Sequence, residues 1–337
     1  MGITQHTVCI LTVTYGNRWQ FLEQVLKRAA GFKQVVDVIV VDNASVYDVA
    51  AKAKTISDKI TTITNPENLG SAGGYKMALE YGVNHTNTDL FLLLDDDNVP
   101  DDGATSVLLD EWDAIDSDDD KKALFCFRDD RRPHVLIAKG EDPYRFYLVK
   151  DNFLGFHLFR IFKNKFYKIR DIYRKDKKDY FKKRAAMPYV PYGGLMLHRQ
   201  MIGKIGYPDE RMFLYVDDSE YTYRITQNGG TIWLIPSCGV TDIDKSQGIN
   251  YKKRLFHSQL LDEWSFRTYF HVRNRLYFYS RVAIANKFIF RLNKLIYLAW
   301  LRIVSMLSNK TAEYKKLVAA VNDGLNGNMG KASPEKF

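Results

Sequence analysis

The segment TDLFLLLDDDNVPDD (residues 88–102) runs an apolar stretch straight into three adjacent carboxylates, Asp95, Asp96 and Asp97. Neighbouring carboxylates repel one another, and a divalent cation relieves that repulsion. Hard cations such as Mg²⁺ and Mn²⁺ take oxygen ligands and keep positions for water or substrate phosphate. Asp95 and Asp97 are two residues apart, so in extended backbone their side chains share a face. A cation bridging that pair to a diphosphate would stabilise charge on a departing nucleotide. The bland alternative is an acidic surface turn; the position at the end of an apolar strand favours the metal.

A second acidic pair, Asp217 and Asp218, lies in FLYVDDSEYTYRI (213–225) at the start of a helical pattern. First-turn acids complement a helix dipole by about 0.3–1 kcal/mol, which accounts for their presence there but not for a second cluster matching the first. The functional reading makes Asp218 a general base for an attacking hydroxyl. Glycines add two loops. NPENLGSAGGYKMAL places Gly70, Gly73 and Gly74 ahead of a helix, and VPYGGLML places Gly193 and Gly194 ahead of a strand. Both allow close backbone approach to a ligand, and a helix N-terminus favours anions; each pair reads equally well as plain loop chemistry.

The elements that carry these residues alternate. TVCILTVTY (7–15), VDVIVVDNAS (36–45), KITTITNPENLG (59–70) and DLFLLL (89–94) read as strands, the third running into a loop, with helical patterns at 18–31, 46–57 and 71–83 between them. Strands alternating with helices predict an α/β fold with a mostly parallel sheet and ligands beyond the strand carboxyl ends. The expected organisation is a catalytic domain over 1–250 and a C-terminal helical region over 251–337. Within the first, 1–130 is the nucleotide-binding half, 131–187 a basic insertion and 188–250 the acceptor half.

Composition sets outer bounds. Of 337 residues, 46% are hydrophobic and the formal net charge is +9. The positive charge concentrates in HLFRIFKNKFYKIRDIYRKDKKDYFKKR (157–184), where aromatics separate the cations. Such a stretch suits an anionic membrane surface or a solvated helix face; nucleic acid is not expected, because no reader motif accompanies it. Cys9, Cys126 and Cys238 form no CxxC pair, which fits a reducing compartment. The N-terminal stretch lacks signal-peptide features, and the late apolar run LIYLAWLRIVSML (295–307) is interrupted by Arg302 and is too short to span a bilayer. The expectation is a cytoplasmic protein.

Together, ILTVTYGNR, IVVDNAS, NPENLGSAGGYKMALEYG, LLLDDDNVP, YGGLMLHRQMIGKIGYPDERMFLYVDDSEYTYRI and HVRNRLYFYSR resemble, in order and spacing, the GT-A (Rossmann-like) glycosyltransferases of family 2. The triple Asp and the NLGSAGG loop are most similar to bacterial galactofuranosyltransferases and the neighbouring rhamnosyltransferases of cell-envelope polysaccharide synthesis, O-antigen included. The resemblance implies an inverting transferase with a nucleoside-diphosphate sugar donor (UDP favoured; galactofuranose first, rhamnose next) and Mn²⁺ or Mg²⁺. It implies that Thr12 and Asp42 hold the base and ribose and that Arg18 lies near the diphosphate. Asn68 and Gly73 would line the sugar-nucleotide loop. Asp95 and Asp97 would bind the metal, with Asp96 available to the donor sugar. Asp218 would be the base, Asp217 would orient sugar hydroxyls, and Gly193 and Gly194 would pass the acceptor. Relatives carry a metal-binding His after the strand that follows the base helix, whereas this chain reads LIPSCGVTDIDKSQG. That leaves Asp242 or Asp244 as substitutes, a weaker hold on the metal, or no dependence on it. The implied acceptor is a lipid-linked glycan at the inner face of the cytoplasmic membrane, with the basic stretch 157–184 and the aromatic helical patterns near 266–305 as a peripheral contact. Charge reversal across Lys175, Lys177, Lys178, Lys182 and Lys183 is then expected to weaken liposome binding. A nucleotidyltransferase and a non-catalytic sugar-nucleotide-binding protein are the alternatives.

Overall fold

The structure is a computed structural model and describes residues 6–173, 180–245, 251–252 and 254–337. Lys175, Lys177 and Lys178 lie outside the described residues. The chain divides into two compact units: Met1–Pro143, Phe181–Phe213 and Asp217–Gln247 form one; Tyr144–Tyr180, Leu214–Val216 and Gly248–Phe337 form the other.

The first unit opens with β1 (Val8–Gly16), α1 (Trp19–Gly31), β2 (Val35–Ser45), α2 (Val49–Lys54), β3 (Ile60–Asn65), α3 (Gly70–His85) and β4 (Leu90–Asp95). It continues with β5 (Asn98–Pro100), α4 (Ala104–Asp113), β6 (Lys122–Phe127) and α5 (Arg132–Ala138). After α6 (Ile161–Tyr173) of the second unit come β7 (Ala185–Met187), β8 (Leu195–His198), α7 (Arg199–Ile205), α8 (Asp217–Gln227) and β9 (Thr231–Asp242). The sheet order is β3-β2-β1-β4-β8-β6-β9-β5, with β7 also on β9. β3, β2, β1, β4, β6 and β9 run the same way; β8, β5 and β7 run against them. This is the mostly parallel, helix-flanked α/β arrangement expected of a GT-A-like fold.

The sequence explains the layering. Val8–Leu11, Val38–Val41 and Leu90–Leu94 are continuous apolar runs and are fully buried, as strands covered on both faces require. Leu22, Val25, Leu26 and Ala29, on one stripe of α1, pack on the same core. Register then brings the polar strand ends together: Thr14 stands opposite Asp42, Asp42 opposite Thr64, and Val13 opposite Asp95.

The second unit consists of α6, α9 (Gln259–Asp262), α10 (Phe266–Val282), α11 (Lys287–Leu307) and α12 (Thr311–Asn326) with its connecting segments. The expected linear division therefore changes: part of the 131–187 insertion, residues 144–180, groups with the C-terminal helices. Buried Asp151 accounts for this, since its Oδ1 accepts from the backbone N–H groups of Ala285 and Asn286 while its own N–H donates to the Ala283 carbonyl. Phe153 stacks edge-on against Phe290 and Tyr297. In the same unit Asn274 donates to the carbonyls of Leu214 and Tyr215, and Tyr215 and Val216 hold left-handed backbone at φ 65° and 64°. Among the described residues, no helix is long and apolar enough to cross a membrane.

Candidate active site

Asp95 closes β4, and Asp96 and Asp97 form the turn into β5. The expected strand-like pairing of Asp95 with Asp97 is therefore replaced by a tight turn, in which Asp95 takes Tyr75 as partner while Asp96 and Asp97 share Arg18. Asp95 Oδ1 accepts from the Tyr75 hydroxyl at 2.8 Å. Asp96 accepts from Thr14 Oγ1 at 2.8 Å and from Arg18 Nε at 2.9 Å. Asp97 Oδ2 accepts from Arg18 Nη2 at 2.7 Å, and its Oδ1 accepts from Asn98. Arg18 reaches a third acid, Asp244, through Nη1 at 2.7 Å. One guanidinium thus serves three carboxylates, the forked geometry to which Arg is suited.

Burial decides the electrostatics. It pushes Asp95, Asp96 and Asp97 each up to about 6. Tyr75 and Arg128 ease Asp95 down while Asp96 and Asp218 add to its rise. Arg18 and Thr14 ease Asp96. Asp95, Asp242 and Asp244 raise Asp97 against the pull of Arg18. Burial also works against the charge of Arg18, but Asp96, Asp244 and Asp97 outweigh it and hold the pKa up.

Asp242 pairs with Asn98 across β5 and β9, which sets it beside this turn. Its Oδ2 accepts from Arg128 at 2.8 Å and Arg131 at 3.4 Å, and its Oδ1 is buried with no hydrogen-bond partner among the described residues. Among the described residues no group of three or more His, Cys, Asp or Glu is arranged as a ready metal cage. A Mg²⁺ or Mn²⁺ held by one or two carboxylates plus substrate phosphates needs no such cage. The orphaned oxygen of Asp242 fits that mode, whereas Asp97 Oδ2 and Asp244 already accept from Arg18.

The other acidic pair opens α8. Asp217 is buried, and its Oδ2 accepts from the Ser71 hydroxyl at 2.8 Å. Part-exposed Asp218 accepts from the Ser219 backbone N–H at 2.6 Å and from the Ser219 hydroxyl. Burial and then the Asp218 carboxylate push Asp217 well up, with the Ser71 and Tyr192 hydroxyls easing it down. Burial likewise pushes Asp218 up, and the Ser219 hydrogen bonds oppose it. The tilted rings of Tyr75 and Tyr192, with centroids 4.1 Å apart, link the two clusters: Tyr75 donates to Asp95, and Tyr192 feels the charges of Asp217 and Asp218.

The glycine loops hold this geometry. A Cβ on Gly193 would stand 1.8 Å from Asn98 Oδ1 and 2.7 Å from Asp95 Oδ2, so only glycine lets β8 begin against that carboxylate. Gly70 (φ +71°) admits the Phe213 carbonyl to within 1.9 Å of where its Cβ would lie, and the Ala72 N–H donates to that carbonyl. With the Gly70 N–H donating to Asn68 Oδ1, these amides at the start of α3 are already used inside the protein. The NLGSAGG loop also braces Asp217 through the Ser71 hydroxyl. Gly73 lies against Leu69, while Gly194 (φ +101°) packs on Cys126.

Thr12 does not reach this edge. It is fully buried between Val40 and Leu94, and Thr14, two residues further along the same strand face, takes the polar position. Asp42 does reach it, capping the Ser45 N–H from the end of β2. Beside it, buried Asn43 donates to the Gly70 carbonyl and accepts from Asn65, tying β2 and β3 to the NLGSAGG loop. Tyr75, Tyr192, Ser71, Arg128 and Asn43 went unread in the sequence. Only Thr14 carried a signal there, from its spacing with Thr12.

Residues 9–168 match the family model Glycosyl transferase family 2. No curated protein matches the chain. Solved structures with similarity include Staphylococcus aureus TarS 1-349 with UDP, at 13% identity and TM-score 0.44 over 69% of this chain and 59% of that one. GalNAc-T7 with UDP, GalNAc and Mn²⁺ aligns at 14% identity and TM-score 0.49, over 79% and 48%. The mannosyltransferase PcManGT of Pyrobaculum calidifontis, with GDP-Man and Mn²⁺, aligns at 17% and 0.47, over 94% and 86%.

Proposed function

We propose that the protein is an inverting glycosyltransferase that moves a hexosyl group from a nucleoside-diphosphate sugar to a hydroxyl of a lipid-linked glycan, with a UDP sugar and galactofuranose favoured and rhamnose next. The observation that carries this reading is the link between the two acidic clusters, in which Tyr75 donates to Asp95 and lies against the ring of Tyr192, which feels the charges of Asp217 and Asp218. The family match over 9–168 supports the donor class. Asp217 sits deeper and accepts from a hydroxyl, whereas Asp218 accepts a backbone N–H in the first turn of a helix. Both features favour charge on Asp218, so Asp217 holds the proton of the pair and Asp218 is free to act as base. Asp218 takes the acceptor hydroxyl proton as that oxygen bonds to the anomeric carbon, and the bond from that carbon to the diphosphate breaks. Asp95 and Asp97, with Asp242 Oδ1, would hold Mn²⁺ or Mg²⁺, which when bound neutralises the leaving diphosphate. Asp42 and Thr14 line the strand ends where the nucleoside would rest.

One second reading has its own observation. The hold of Arg18 on Asp96, Asp97 and Asp244 already neutralises part of the cluster, as a sugar-nucleotide-binding protein working without a metal would require. Incubation with a panel of sugar nucleotides and a short glycan acceptor, with and without Mn²⁺, separates the two. Release of nucleoside diphosphate coupled to transfer supports the transferase. Binding without release supports the second reading, and release of pyrophosphate would replace both with nucleotidyl transfer.

A further inference from the structure

α11 is apolar on both of its faces. Phe290, Asn293, Leu301, Val304 and Ser305 are buried, and Tyr314 of α12 bonds the Leu298 carbonyl. The opposite side is open: Phe288 is 73% exposed, Leu295 67%, Ile303 54% and Met306 56%. With Leu292 and Ala299 these residues follow one another at intervals of three and four, so they form one stripe along the helix. By the same period Lys287, Arg291, Lys294 and Arg302 fall along one flank of the stripe, and α11 contains no acidic residue. A second stretch in the same unit repeats the pattern. Phe159, Phe162, Phe166 and Ile169 are exposed at intervals of three and four around α6, interleaved with Lys163, Lys165 and Lys168. The one acid of α6, Asp171, is buried on Arg145. The Leu158 N–H bonds Asn293 Oδ1, so the segment leading into α6 starts from the middle of α11.

We propose that the outer stripe of α11, seconded by that of α6, is the surface on which the protein lies in the headgroup region of an anionic bilayer. A helix apolar on both faces needs a second apolar phase, and basic residues beside an exposed aromatic stripe suit anionic headgroups. A second copy of the chain is disfavoured as occupant because it would set cations against cations. The proposal rests on the reading of a lipid-linked acceptor and deepens it by naming the surface. It narrows the contact expected from the sequence to the outer stripes of α11 and α6.

Vesicle flotation tests this with no substrate present, so it can fail while sugar transfer stands. The full chain is expected to float with phosphatidylcholine vesicles that contain phosphatidylglycerol, to bind pure phosphatidylcholine more weakly, and to lose affinity as salt rises. The variant Lys287→Gln, Arg291→Gln, Arg302→Gln should bind anionic vesicles about 100-fold more weakly, at roughly five-fold per cation. The variant Phe288→Ser, Leu295→Ser, Ile303→Ser should lose binding to both vesicle types with its melting temperature unchanged. If this variant does not fold, Phe162→Ser with Phe166→Ser gives the same reading as a clear loss of affinity. Absence of wild-type flotation, apolar variants that float as the wild type does, or a wild-type dimer that the α11 variant splits without any vesicle binding would each overturn the proposal.

Discussion

Replacing Asp97 by Asn should raise the stability of the protein at neutral pH and leave it almost unchanged in acid. The Asp97 side chain is only 10% exposed, and burial with the carboxylates of Asp95 and Asp242 lifts it from its ordinary 3.8 to about 6. A carboxyl whose folded pKa exceeds its unfolded one gains affinity for a proton on folding. Below about pH 4 both states are protonated and no penalty exists; the penalty grows as pH rises toward 6 and is complete above it. A shift of about two units corresponds to roughly 3 kcal/mol. That is a ceiling, because the three aspartates titrate together, and about 1–3 kcal/mol is the expected gain. Asn preserves the shape and still accepts from Asn98, while Arg18 keeps Asp96 and Asp244. In thermal melts from acid to mildly alkaline pH, the variant should match the wild type at the acid end and melt a few degrees higher from neutrality upward. A difference that is constant across pH, or a variant less stable above neutrality, would refute the reasoning. Saturating Mn²⁺ should narrow the gap, since a cation on the same oxygens removes the wild type's penalty.

Gly193→Ala should cut turnover about 100-fold, the cost of displacing a reactive group by about 1 Å, because the added carbon overlaps Asn98 Oδ1 and Asp95 Oδ2; an unchanged kcat would remove Asp95 from the site. Asn43→Ala leaves the Gly70 carbonyl and the Asn65 amide without their partner and should cost about 1–3 kcal/mol in urea unfolding, with a higher KM for donor. A variant as stable as the wild type would show that this network does not brace the loop.

The parallel half of the sheet was legible because β1, β2 and β4 carry nearly pure apolar runs separated by helical patterns, as burial on both faces imposes. The strand-end edge was legible for the same reason, with Asp42 towards the end of β2 and Asp95 at the end of β4. Local spacing gave out where tertiary contacts decide. Thr12 and Thr14 share one face of β1, and only register with Leu94 and Asp42 shows that the former is core and the latter edge. Period-two reasoning for Asp95 and Asp97 assumed extended backbone, but the chain turns at Asp96. The approach of the Phe213 carbonyl to Gly70, from a distant part of the chain, could not be read from NLGSAGG. The grouping of residues 144–180 with the C-terminal helices draws on Asp151, a buried acid whose partners, the Ala285 and Asn286 amides, lie far along the chain and leave no mark in the local sequence.

Asp218→Asn tests the central claim most directly, through single-turnover sugar transfer and donor binding measured on the same preparation. With the proton acceptor gone and its shape kept, transfer should fall by about 10²–10⁴-fold while donor affinity stays at the wild-type level. Transfer at the wild-type rate would show that Asp218 is not the base.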